Sequence, residues 1–284
     1  MNINNKPYNS NNEETLSNEE TFIAVYKYAL KKSHSPLSRT FLMGVAAGLF
    51  IGIAYIGSIY ATRGWNELLP IGIKSFIFAI VFTLAITMII FMGGELFTSN
   101  AMMFLPTMKK QIKLTKMLLN LLVVLIGNFI GCFILASLTA LSGFLDNEEF
   151  LKNAIAIFHS KLEKPWWKNF FSGILCNFLV AGSVYISHAT KSSGAKFLLI
   201  NLVIMIFALT GFSHVVANSY IWGLGAIFNF YNHPVSSLEL LQFGYQNQIP
   251  TLVGNFLGGG ILLPSMYYFA YKKSLPNPIT LSLN

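Results

Sequence analysis

Six stretches of this chain carry no Asp, Glu, Lys or Arg over the length of a membrane crossing: Phe41 to Tyr60, Ser75 to Met92, Met117 to Leu141, Asn169 to His188, the unusually long Phe197 to Phe230, and Thr251 to Tyr271. A helix needs about 20 apolar residues to cross a hydrocarbon core roughly 30 Å thick. Lipid is therefore the expected solvent for most of the chain. With 54% hydrophobic and 11% charged residues, and a mean hydropathy of +0.57, the composition lies well away from that of a soluble domain.

The net charge of +8 is spread between the spans and is not gathered on one face. That excludes a nucleic-acid surface and suggests topology signalling. Lys27, Lys31, Lys32 and Arg39 precede the first span, Lys109, Lys110, Lys113 and Lys116 follow the second, Lys191 and Lys196 follow the fourth, and Lys272 and Lys273 follow the sixth. In the other connections Arg63 faces Glu67, the segment 146–168 balances acids and bases, and the segment 230–248 has only Glu239. Cytoplasmic loops are the Lys/Arg-rich ones, so both termini are expected inside the cell.

The Asn-rich start has no charged region, apolar core and cleavage site in that order, so the first span itself is expected to direct insertion. From Ser17 the pattern changes. Ser17 and Glu20 have capping-box spacing, and Phe22, Val25, Tyr26, Ala29 and Leu30 recur at helical spacing. This predicts an amphipathic cytoplasmic helix over 17–35 that packs on a neighbouring subunit or on lipid, with the subunit favoured. Cys132 and Cys176 lie inside spans and act as small hydrophobes.

Gly127-Asn128-Phe129-Ile130-Gly131 in the third span returns as Gly254-Asn255-Phe256-Leu257-Gly258 in the sixth. Each copy holds three crossings, an odd number, so the second must run in the opposite sense. The expected organisation is a disordered tail over 1–16, the helix, three-span repeats over 36–145 and 146–273, and a tail over 274–284. Helical continuity should fail at two equivalent places. One is Gly93-Gly94-Glu95-Leu96-Phe97-Thr98-Ser99-Asn100, ending the second span. The other is Gly211-Phe212-Ser213-His214-Val215-Val216-Ala217-Asn218, inside the fifth. Such breaks mark a midplane site, because freed backbone N–H groups at a half-helix start carry partial positive charge suited to an anion. Thr98, Ser99 and Asn100 add polar groups. His214 is an ionisable side chain in an apolar span and a functional candidate for that reason, with Asn218 one turn on to orient it. His188 has no break around it and is expected at the interface.

These motifs resemble the formate/nitrite transporter family over roughly Ser17 to Lys273. The resemblance implies an all-α, aquaporin-like protomer of six transmembrane helices in a homopentamer. It also implies apolar constrictions lined by Leu96, Phe97, Phe82 and Phe207, with Ile86 where the family often has leucine, and a vestibule lysine at Lys161. Ser213 departs from the pattern, since many members carry glutamate directly before the central histidine. Glu95 survives in the first break and is expected to bond loop backbone.

A bare carboxylate pays an idealised cost on the order of 20 kcal/mol to enter low dielectric, whereas protonating it at pH 7 costs about 4 kcal/mol. A small monovalent anion, formate first among nitrite, hydrosulfide and lactate, is thus expected to cross protonated, with the proton drawn from His214 or from water. No paired Asn-Pro-Ala loops mark a water or glycerol channel. No Ser–His or His-x-x-x-His arrangement marks an enzyme or a metal site, and no cofactor is implied. The preference for Lys over Arg fits an AT-rich bacterial genome, and the cell membrane is the expected location.

Overall fold

The structure, a computed structural model, describes residues 15–64, 70–231 and 233–275. The tails expected at 1–16 and 274–284 fall, apart from their innermost residues, outside the described residues.

All regular structure is helical among the described residues. Five helical runs are long and apolar enough to cross a membrane: α2 (Leu37–Ala61), α3 (Ile71–Gly93), α5 (Leu114–Leu141), α7 (Trp166–Ile186) and α10 (Ser237–Ser274). The fifth apolar stretch of the sequence is instead two shorter helices, α8 (Ser193–Leu209) and α9 (Val215–Phe230). A half-helix, α4 (97–108), follows α3. Two helices flank the spans, α1 (Asn18–Ser33) and α6 (Glu148–Glu163).

The capping box of α1 is present: Glu20 N–H donates to Ser17 Oγ, and Ser17 N–H donates to the Glu20 carboxylate at 2.9 Å. Phe22, Val25, Tyr26 and Ala29 are fully buried. What buries them is this chain, through α4, α5, α7 and α10. Tyr26 Oη donates to Gln111 at 2.6 Å, and the Phe22 and Tyr271 rings lie 5.9 Å apart. The expectation that a neighbouring subunit or lipid covers this face is therefore corrected: the end of α4 supplies the apolar platform.

Segment 146–168, read as a loop, holds α6. Asn147 caps it by accepting from Phe150 N–H at 2.9 Å, and Phe150, Ala154 and Phe158 bury one face at helical spacing. In α10 the turns widen to π winding over Gly244–Gln248 and Phe256–Leu262, just ahead of Pro250 and Pro264. Proline lacks an N–H and crowds the carbonyl four residues back, and a wider turn absorbs that conflict without ending the helix.

The glycine motifs bring backbones together twice. A Cβ at Gly131 would stand 3.0 Å from Gly48 Cα, where α5 crosses α2; one at Gly254 would stand 3.1 Å from Gly173 Cα, where α10 crosses α7. Small residues at such crossings are what membrane helices use to pack closely. The same two contacts carry Asn128 and Asn255 to the breaks.

Candidate functional site

Both breaks begin with a glycine in the left-handed region, Gly93 at φ +91° and Gly211 at φ +65°. Side chains with a Cβ are strained there, which explains the residue type. Extended backbone follows, and α4 and α9 start after Leu96 and His214.

Two buried asparagines clasp the freed backbone. Phe97 N–H donates to Asn128 Oδ1 at 3.0 Å, while Asn128 Nδ2 donates to the carbonyls of Glu95 at 2.8 Å and Gly44 at 2.9 Å. Val215 N–H donates to Asn255 Oδ1 at 2.9 Å, while Asn255 Nδ2 donates to the carbonyls of Ser213 at 2.9 Å and Gly173 at 2.8 Å. Irregular backbone at membrane depth needs such partners, because no lipid group provides them. This register sets Glu95 against Ser213, Leu96 against His214 and Asn100 against Asn218.

A second layer repeats as well. Asn100 Nδ2 donates to Asn120 at 2.8 Å, and Asn100 Oδ1 accepts from Lys32 Nζ at 2.7 Å. Asn218 Nδ2 donates to Asn247 at 2.6 Å, and Asn218 Oδ1 accepts from Lys161 Nζ at 2.8 Å. The layers differ in one group. Lys32 also pairs with the Glu95 carboxylate. Lys161 has no carboxylate within ion-pair distance among the described residues, and neighbouring Lys164 donates to Ser172 Oγ at 2.8 Å and Ser213 Oγ at 3.2 Å. Burial opposes the Lys32 ammonium, but Tyr28 and Glu95 outweigh it and raise its pKa. Burial first, and then Lys164, bring Lys161 down to about 8.

His214 caps its own helix: Ala217 N–H donates to Nδ1 at 3.1 Å. A backbone N–H can only donate, so Nδ1 is the bare nitrogen and Nε2 carries the hydrogen. Nε2 faces Thr98 Oγ1 at 3.2 Å, which joins the two half-helix starts. Asn218 does not orient this ring as expected. Its amide is spent on Lys161 and Asn247.

Four cavities follow one another past this point. The first, about 560 Å³, is lined by Lys74, Lys161, Lys164 and Ser213 among others. It shares Tyr55, Phe78 and Lys161 with a second of about 60 Å³ that reaches Asn218, Phe82 and Phe207. Phe82 and Phe207, 5.7 Å apart edge to face, also line a third of only about 20 Å³, closed by Ile86, Leu96 and His214. Ile89 leads to a fourth of about 270 Å³, lined by Lys32, Glu95, Ser99 and His188. Phe82, Ile86, Leu96, Phe207 and His214 thus gather around the smallest of the four cavities, with Lys161 and Asn218 to one side and Ser99 and Asn100 to the other.

Phe97 stands apart. Its side chain faces a lateral apolar cavity with Leu121, Leu125 and Phe256, because it points away from Leu96 at the half-helix start. Glu95 also differs from expectation, since its carboxylate meets Lys32 and not loop backbone. The sequence offers Lys164 beside Lys161 as a vestibule lysine, but it gives no site role to Lys32, Asn120, Asn247 or Ser172. A signal existed for the asparagines: Asn120 precedes Asn128 by the same interval as Asn247 precedes Asn255.

The formate/nitrite transporter family model matches residues 19–269. Similar proteins include the formate channel FocA of Haemophilus influenzae, 29% identical over 79% of this chain and 84% of that protein. The uncharacterised transporter YwcJ of Bacillus subtilis is 31% identical over 86% and 94%. The formate-nitrite transporter of Plasmodium falciparum is 25% identical over 91% and 86%. Among solved structures, a pentameric formate channel with formate bound superposes with a TM-score of 0.75 at 26% identity, covering 83% of this chain and 98% of its own.

Proposed function

We propose that this chain, which belongs to the formate/nitrite transporter family and is therefore a membrane channel or transporter of small anions and not an enzyme, passes formate across the cell membrane together with a proton. The observation that carries the proposal is the Nε2–H of His214 beside Thr98 at an otherwise apolar waist, with the buried Lys32 on one side and the half-buried Lys161 on the other. Lys161 and the cavity in front of it attract the anion. Formate that takes a proton sheds most of its desolvation cost, as the comparison of about 20 with about 4 kcal/mol requires. The hydrogen bond to His214 and the half-helix N-termini of α4 and α9 offset part of what remains. Phe82, Phe207, Ile86 and Leu96 exclude water on either side, so an ion that keeps its hydration shell stays out.

His214 acts here as a neutral hydrogen-bond donor. An imidazolium would carry hydrogen on Nδ1, against Ala217 N–H, and would lose the cap. Water in the cavity beside Lys161 is then the proton source.

In the membrane the chain forms two inverted three-span repeats, over 36–145 and 146–273, with both termini cytoplasmic, which the lysine distribution supports. It assembles as a homopentamer, which the similarity to the pentameric formate channel supports. Nitrite, hydrosulfide and lactate are the alternative passengers for the same chemistry, and the Plasmodium falciparum relative is named for nitrite too.

Liposomes containing the purified protein test this directly. Saturable formate uptake stimulated by lowering the external pH from about 7 to about 5 is expected, since the protonated fraction then rises steeply. Water permeation without anion flux would sink the proposal. In His214→Asn, retained pH-dependent uptake at a reduced rate is expected, and complete loss from a correctly assembled variant would show an obligatory proton donor.

A further inference from the structure

The two ends of the row of cavities carry different charge. Where Glu95 neutralises Lys32 in one half, the equivalent register position in the other half is Ser213. There, among the described residues, the ammonium groups of Lys161 and Lys164 meet neutral oxygens: Asn218 Oδ1 at 2.8 Å, Ser172 Oγ at 2.8 Å and Ser213 Oγ at 3.2 Å. Ser213 Oγ already donates to Asn169 at 2.9 Å, so its free capacity is as an acceptor. The roughly 560 Å³ cavity in front of these groups is also lined by Lys74, Ser160 and Thr210, and no Asp or Glu lines it among the described residues. At this volume the cavity has room for a small solute. Lys161 feels the crowding of positive charge, which burial and Lys164 express as a pKa near 8; at pH 7 it is still an ammonium.

Two partly buried like charges without a counter-charge are costly, and a mobile anion relieves that cost wherever no side chain does. The register position has room for one carboxylate, so one monovalent anion fills it and one of the two ammonium charges remains in excess.

We propose that the cavity bounded by Lys161, Lys164 and Ser213 holds a resident small monovalent anion, of the chloride type, in the place that the Glu95 carboxylate occupies in the other half of the chain. The anion is a fixed counter-ion at the mouth. Its binding is an equilibrium property of the folded chain and does not depend on whether formate passes the waist.

Bromide is the probe. The purified full-length protein, in buffer whose only other anion is bulky gluconate, is titrated with bromide while the thermal unfolding midpoint is followed, and anomalous scattering from bromide-grown crystals locates the ion. The expected result is a saturable rise in midpoint, an anomalous peak between Lys161 and Lys164, and apparent affinity weakened about tenfold or more in Ser213→Glu and in Lys164→Gln, which respectively fill the place with a covalent charge and remove one of the two cations. Should Ser213→Glu fail to fold, Lys164→Gln and the wild-type protein carry the test. No saturable response in the wild type, or the same response in both variants, would overturn the proposal. A response to formate but not to bromide would also overturn it, because only the transported anion would then reside there. Loss of formate flux with bromide binding intact refutes the transport proposal alone, and the reverse result refutes this site alone.

Discussion

Lys32 and Lys161 each donate to an asparagine one turn past a helix break, Asn100 and Asn218, yet among the described residues only Lys32 has a carboxylate beside it. At the α1 end the ammonium is consumed structurally. It ties α1 to the first break, and the platform that buries Phe22 and Tyr26 does the rest. At the α6 end the same geometry leaves the ammonium available to whatever enters the cavity. A single residue, Glu95 against Ser213, therefore separates an ammonium held in an ion pair from one held by a neutral oxygen, and the backbone arrangement around both stays the same.

The most severe way to break the comparison is to remove the one acid. Glu95→Gln strands the buried Lys32 and should cost about 3–5 kcal/mol, read as a lower midpoint of unfolding in detergent. Lys32→Met with Glu95→Gln should recover most of that loss, whereas Ser213→Ala should cost far less than Glu95→Gln. Equal losses at Glu95 and Ser213 would mean that the two ends are alike after all.

The clasps test the part of the comparison that should be symmetric. Asn128→Leu and Asn255→Leu each leave one backbone N–H and one carbonyl of the break without the asparagine that clasps them, and each should cost about 3 kcal/mol or more by the same unfolding measurement. A large effect at one and none at the other would contradict the matched hydrogen bonds. Next comes charge. With Lys161 held near 8 by burial and Lys164, its positive charge is lost as pH rises through about 8. Because the folded pKa lies below that of the unfolded chain, the unfolded state binds more protons between the two values. This group therefore makes stability rise with pH over that window. Ser213→Glu should raise the Lys161 pKa by about one unit or more, seen by NMR of isotopically labelled lysine. The smallest effects concern the waist. Phe207→Leu should raise formate flux more than about twofold and Phe97→Leu should leave it unchanged, both at under about 1.5 kcal/mol in stability; a flux change confined to Phe97→Leu would place the constriction elsewhere.

Much of this was legible in the sequence. Charge-free runs announce the spans, glycines the breaks, and Ser17 with Glu20 the start of α1. The matching glycine motifs marked the two crossings where backbones touch. What could not be read was partnership between distant segments. Lys32 looked like one more topology lysine, because nothing local shows that α1 folds back beneath the first break. Asn128 and Asn255 sat inside motifs whose glycines alone suggested packing, and their clasp needs the third dimension. Asn218 was assigned to His214 from helical spacing, which ignores that a histidine at an N-cap satisfies one nitrogen from its own backbone. Phe97 followed Leu96 in sequence, but neighbours at a helix start point in different directions.

The cap on His214 has one further consequence. Relaying protons along a wire requires an imidazole to accept on one nitrogen while releasing from the other, and then to reset. With Nδ1 engaged by Ala217 N–H, which never takes up a proton, the ring is a dead end for such hopping. Under the proposed transport, bare protons would gain no shortcut through this ring, and weak acids would cross without discharging the membrane.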